Sequence, residues 1–124
     1  MSKSLLSAWM KLKTPPEGNY AAKEIPGTNA WIFKNHEKNM GLFLARIRFP
    51  TNLPRLENIT IREVKVKELH EDGRVTKLRN CLEVKLDPSC DSELLLRILD
   101  GMQKAAPEGH YSAELLLEVI QQVI

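Results

Sequence analysis

The chain has 124 residues, 43% of them hydrophobic and 27% charged, enough for one ordinary globular core and against a disordered chain. No apolar run approaches the ~20 residues of a membrane-spanning helix, and two cysteines, Cys81 and Cys90, make no disulfide framework, so the expectation is a cytoplasmic protein without a membrane partner. The net charge of +2 hides a split: residues 1–80 hold 15 Lys and Arg against 8 Asp and Glu, a balance of +7, whereas residues 81–124 hold 3 against 8, a balance of −5. Such asymmetry suggests that the first part meets a polyanion; the alternative is a basic half neutralised by an acidic one.

Residues 4–13 predict a helix, with Leu5, Trp9 and Leu12 on one stripe and Ser4 as N-cap. Lys11 and Lys13 interrupt the apolar stretch too early for a secretory signal. Thr14-Pro15-Pro16 ends the helix, and residues 15–28, rich in proline and glycine, read as irregular up to the Pro26-Gly27 turn.

Residues 29–34 and 41–49 predict a hairpin, with Phe43, Ala45, Ile47 and Phe49 alternating onto one face and Arg46 and Arg48 onto the other. Pro50 to Arg55 is a loop. The apolar phase then slips between Ile61 and Val64, which predicts a bulge or two successive strands. Asp72-Gly73 is a hairpin turn signal, and Val75 to Arg79, then Leu82, Val84 and Leu86, mark further strand.

Beyond Asp87-Pro88-Ser89 the period changes. Leu94, Leu95, Ile98, Leu99 and Met102 form one helical stripe, closed by Ala106-Pro107-Glu108-Gly109. A second helix opens at Ser112 or a neighbour and carries Leu115, Leu116, Leu117, Val119, Ile120, Val123 and Ile124. The expected fold is a single α+β domain over residues 1–124: an N-terminal helix, an antiparallel sheet of about five strands and two C-terminal helices. The last helix is apolar on several sides and lacks a C-terminal stop signal. It calls either for a partner, with Leu116, Ile120 and Val123 as interface, or for a chain that continues; the uncapped end favours continuation.

Chemistry-bearing patterns are few. The three histidines, His36, His70 and His110, are far apart, and neither cysteine has ligand-spaced neighbours, so no metal site is expected. Asp72 with Glu83-Val84-Lys85 has the spacing of a metal-dependent nuclease triad. A hairpin turn plus an exposed strand pair explains it better, because Glu63-Val64-Lys65 repeats the pattern. The basic residues say more. Arg46, Arg48, Arg62, Lys65, Lys67, Arg74, Lys77 and Arg79 could follow phosphates from one sheet face, while Asn52 and Arg55 could reach base edges from a loop. A solvated face with Glu63, Glu68 and Glu83 as local partners is the competing reading.

Several segments together resemble the N-terminal part of the bacterial PD-(D/E)xK motif proteins, a family associated with restriction-modification and phage-defence loci. They are Leu5-x-x-x-Trp9, Gly41-Leu-Phe-Leu-Ala-Arg46, and Leu53-Pro54-Arg55 ahead of Ile59–Val66. Cys81-Leu-Glu-Val-Lys-Leu-Asp87, followed by the 94–102 and 115–124 helices, completes the set. The resemblance implies an N-terminal fragment whose nuclease motifs lie beyond Ile124, in a restriction-type, Mg²⁺-dependent DNA endonuclease. It gives this stretch no catalytic residue and no cofactor of its own. The expected role is DNA recognition with double-stranded DNA as partner; the alternative is a docking module for a second copy or for the rest of the same protein.

Overall fold

The computed structural model describes Ser7, residues 10–66, 79–90 and 92–124, with the side chain of Arg79 excepted. Among these residues, five strands form one antiparallel sheet: β1 (Tyr20–Glu24), β2 (Ala30–Asn35), β3 (Met40–Leu44), β4 (Ile59–Val66) and β5 (Arg79–Leu86). Their spatial order is β1-β2-β3-β5-β4. Two helices follow, α1 (Ser92–Ala105) and α2 (Ala113–Val123). The predicted opening helix is not among the named elements, and half of it, residues 4–6, 8 and 9, lies outside the described residues.

The sheet and the two C-terminal helices agree with the predicted α+β arrangement, but three details differ. First, the predicted irregular stretch 15–28 contains β1, which pairs with β2 from Tyr20↔Asn35 to Glu24↔Trp31. Pro26 and Gly27 form the turn between them: Gly27 has φ +76 and Thr28 N donates to Ile25 O at 3.1 Å, the pattern of a type II turn.

Second, β3 stops at Leu44 instead of running to Phe49. Arg46 has φ +56, a left-handed conformation that breaks the two-residue alternation. Ala45 therefore stays with Phe43 on one side of the sheet, while Ile47 and Phe49 cross to the helix side. Third, β4 has no bulge: it pairs with β5 without a break from Ile59↔Leu86 to Val66↔Arg79. Its apolar phase slips because the strand changes the face it buries. Ile59 and Ile61 join the helix-side core, whereas Val64 and Val66 join the opposite one.

β3 and β4 each run antiparallel to β5 and hence parallel to one another, so residues 45–58 must return along the sheet. That crossover packs Ile47, Phe49, Leu53 and Leu56 onto the helix-side core. α1 contributes Leu95, Leu96, Ile98, Leu99 and Met102, and α2 contributes Ala113, Leu116, Val119 and Ile120. Ser112 caps α2 by accepting from Leu115 N at 3.1 Å.

α2 also settles its remaining apolar residues locally. Leu115, Leu117 and Val123 pack partly buried against the same core. Among the described residues the large hydrophobics left exposed are Met10 and Ile124. Leu116 and Ile120, predicted as an interface, are fully buried inside the chain; the sheet and α1 satisfy the apolar sides that suggested a partner.

The opposite face holds a second core of Trp31, Phe33, Phe43, Ala45, Val66 and Cys81. Here Phe33 and Phe43 stack at 4.3 Å, and Tyr20 meets both edge-on. Gly41 permits this: a Cβ there would collide with the Phe33 ring and with the Val84 carbonyl oxygen. The missing side chain lets Phe33 lie across β3 and lets the sheet curl.

Candidate functional site

The curl brings the two outer strands of the sheet together through side chains. Tyr20 on β1 donates its hydroxyl to Glu83 Oε2 at 2.7 Å, and Arg62 on β4 donates Nε to Glu83 Oε1 at 2.8 Å. Arg62 Nη2 lies 3.5 Å from the Tyr20 oxygen. Glu83 itself is 0% exposed. A buried carboxylate is tolerated only when its oxygens are satisfied, and here each oxygen has its own donor. Burial, and then the hydrogen bond to Glu83, hold the Tyr20 hydroxyl above its usual pKa; Glu83 in turn holds Arg62 more firmly protonated.

This geometry bears on the nuclease pattern at Glu83 alone. Glu83 is neither exposed nor free, because Arg62 and Tyr20 occupy it, and Asp72 lies outside the described residues. Among the described residues no group of three or more His, Cys, Asp or Glu side chains could hold a metal ion. Lys85 does share a face with Glu83, as the alternation along β5 requires.

Beside this buried network lies a polar cleft of about 260 Å³, lined by residues 17–20 and 35–37 with Arg62 and Lys85. Its walls are the turn leading into β1, the turn between β2 and β3, and the faces of β4 and β5. Lys85 is half-buried and has no hydrogen-bond or ion-pair partner among the described residues, whereas Glu17, His36 and Glu37 are exposed. His36 Nδ1 lies 3.4 Å from Pro15 O.

The predicted DNA-contacting residues do not form one sheet face. Arg46, Arg48, Asn52 and Arg55 are exposed along the crossover, on the helix side. Arg46 Nη2 reaches Thr28 O at 3.4 Å, and none of these arginines has a carboxylate within 4 Å among the described residues. Arg62 lies on the other face and is paired with Glu83. Lys65 is exposed and shares the face of Ile59 and Ile61 by alternation. Lys67, Arg74 and Lys77 lie outside the described residues, as does the Arg79 side chain.

Sequence reasoning assigned no role to Tyr20 or His36. Neither belongs to a motif, and Tyr20 is 63 residues from its partner Glu83. Glu83 lies on the polar side of the alternating strand Cys81–Leu86, so its sequence context does not announce its burial. No family model, curated protein or solved structure matches the chain. Among the described residues, no helix is long and apolar enough to cross a membrane.

Proposed function

We propose that the chain is a DNA-recognition and accessory domain at the N-terminal end of a restriction-type DNA endonuclease, and that it contacts duplex DNA through its crossover. The observation that carries this reading is the crossover's charge. Arg46, Arg48 and Arg55 stand exposed on one short segment with no carboxylate within 4 Å among the described residues, and Asn52 is exposed between them. Arginines in that state suit phosphate contacts that position a duplex, and Arg or Asn can make bidentate contacts with base edges. The basic balance of residues 1–80 adds a long-range attraction. In this reading the parent enzyme's Mg²⁺ and catalytic carboxylates come from elsewhere in the protein.

The test is duplex binding by the chain across a salt series. Each phosphate contact contributes about 0.9 to the slope of log K against log salt. Replacing Arg46→Gln and Arg48→Gln together is expected to weaken binding and flatten that slope by roughly 2. Absent or salt-independent binding by the unmodified chain overturns the proposal.

A further inference from the structure

The polar cleft on the opposite face from the crossover sorts its charges by exposure. Lys85 is half-buried with Asp87 as a nearby opposite charge but no hydrogen bond or ion pair within 4 Å among the described residues, and beside it Arg62 commits Nε to Glu83 while its side chain stays 53% exposed. The two cations thus line one cleft together, with no ion pair across it apart from Arg62 to Glu83 among the described residues. An anion seated in the cleft would meet Lys85 and the outer guanidinium nitrogens of Arg62 together, and a phosphate suits both donors. Because Glu83 already has a donor on each oxygen, it holds Arg62 and Tyr20 in place without needing the ligand.

The rim argues against bare phosphate. Glu17 and Glu37 are exposed carboxylates lining the same cleft. Ionised carboxylates only accept hydrogen bonds, so they offer a phosphate group no donor but can take the hydroxyl groups of an ester. The volume, about 260 Å³, suits a small molecule. We propose that this cleft binds a sugar phosphate, with the phosphate on Lys85 and Arg62, the sugar hydroxyls toward Glu17 and Glu37, and His36 alongside. The inference is independent of the DNA reading, which uses the crossover.

Calorimetric titration tests it with three probes: ribose 5-phosphate, adenosine 5′-monophosphate and inorganic phosphate. The expected result is binding of ribose 5-phosphate at least tenfold tighter than inorganic phosphate, and a loss of at least tenfold with Lys85→Gln. Adenosine monophosphate binding more tightly still identifies a nucleotide as the source of the sugar phosphate; equal or weaker binding identifies the sugar phosphate alone. A second variant, Glu17→Gln with Glu37→Gln, changes only exposed side chains and is expected to erase the preference for the ester over phosphate. No binding of either ester, affinity unchanged by Lys85→Gln in a folded variant, or a preference intact in the double variant overturns the assignment.

Discussion

At the scale of single residues, Glu83 organises one whole side of the molecule. It sits at 0% exposure between two outer strands and receives Tyr20 and Arg62. Removing the Tyr20 hydroxyl leaves one carboxylate oxygen without a donor, so Tyr20→Phe is expected to cost about 2 kcal/mol at neutral pH, measured by urea unfolding. It also changes the alkaline limb. The folded-state pKa of Tyr20 lies above its ordinary 10.0, so its contribution is complete below pH 10 and is lost as pH rises through the folded value. Tyr111, raised by burial and then by Glu108, adds a second such loss. The Tyr20→Phe protein is therefore expected to lose less stability above pH 10 than the parent, while keeping the part due to Tyr111. An identical alkaline decline in both proteins contradicts this assignment. None of this network could be read from spacing: the sequence shows that Glu83 alternates with apolar neighbours, but the burial of its face follows only from the curl.

At the scale of elements, strand and helix periods carry most of the information. β5 and both helices follow their apolar patterns closely, whereas β2 and β3 are buried on both faces and β3 ends before its predicted alternation does. β1 escapes detection because Tyr20-Ala-Ala-Lys-Glu offers small and polar side chains between prolines, and pairing with β2 decides its conformation. The end of β3 is hidden because Arg46 adopts a left-handed backbone that its residue type does not announce. β4 is misread for a different reason: a strand with cores on both sides can shift its apolar phase without a bulge. Gly41 is the element-level counterpart of Glu83, since it allows the Phe33 ring to cross β3. Gly41→Ala is expected to destabilise by about 3 kcal/mol, through overlap with that ring and the rigid Val84 carbonyl. The midpoint of thermal or urea unfolding checks it, and a change below about 0.5 kcal/mol would mean that the sheet relaxes freely.

At the scale of the whole molecule, Asn29 joins the sheet to the helical layer. Its Nδ2 donates to Ala45 O at 3.0 Å and to Tyr111 O at 2.8 Å, and its Oδ1 accepts from Tyr111 N at 2.8 Å. These bonds fix the segment between α1 and α2 onto the hairpin formed by β2 and β3. Asn29→Ala leaves three buried backbone groups without those partners and is expected to cost about 3 kcal/mol. Hydrogen exchange should show the loss first around Tyr111 and Ala45, rather than at β1. The candidate site is legible only in part at this scale. The arginines of the crossover are visible in the sequence, but their separation from Arg62 by the thickness of the sheet is not. That separation follows from β5 inserting between β3 and β4.

β4 closes the sheet on one side, and among the described residues its outer edge has no strand beside it. Such an edge invites pairing with another copy. An antiparallel pair related by a two-fold axis must oppose residues of the same face, so its centre falls on a residue meeting its own copy. For Ile59–Val66, the two registers with greatest overlap set Arg62 against Arg62 or Glu63 against Glu63, and like charges directly opposed are unfavourable. The same arginine that secures the buried carboxylate thus also discourages the chain from zipping onto itself, a protection against aggregation at the outer strand.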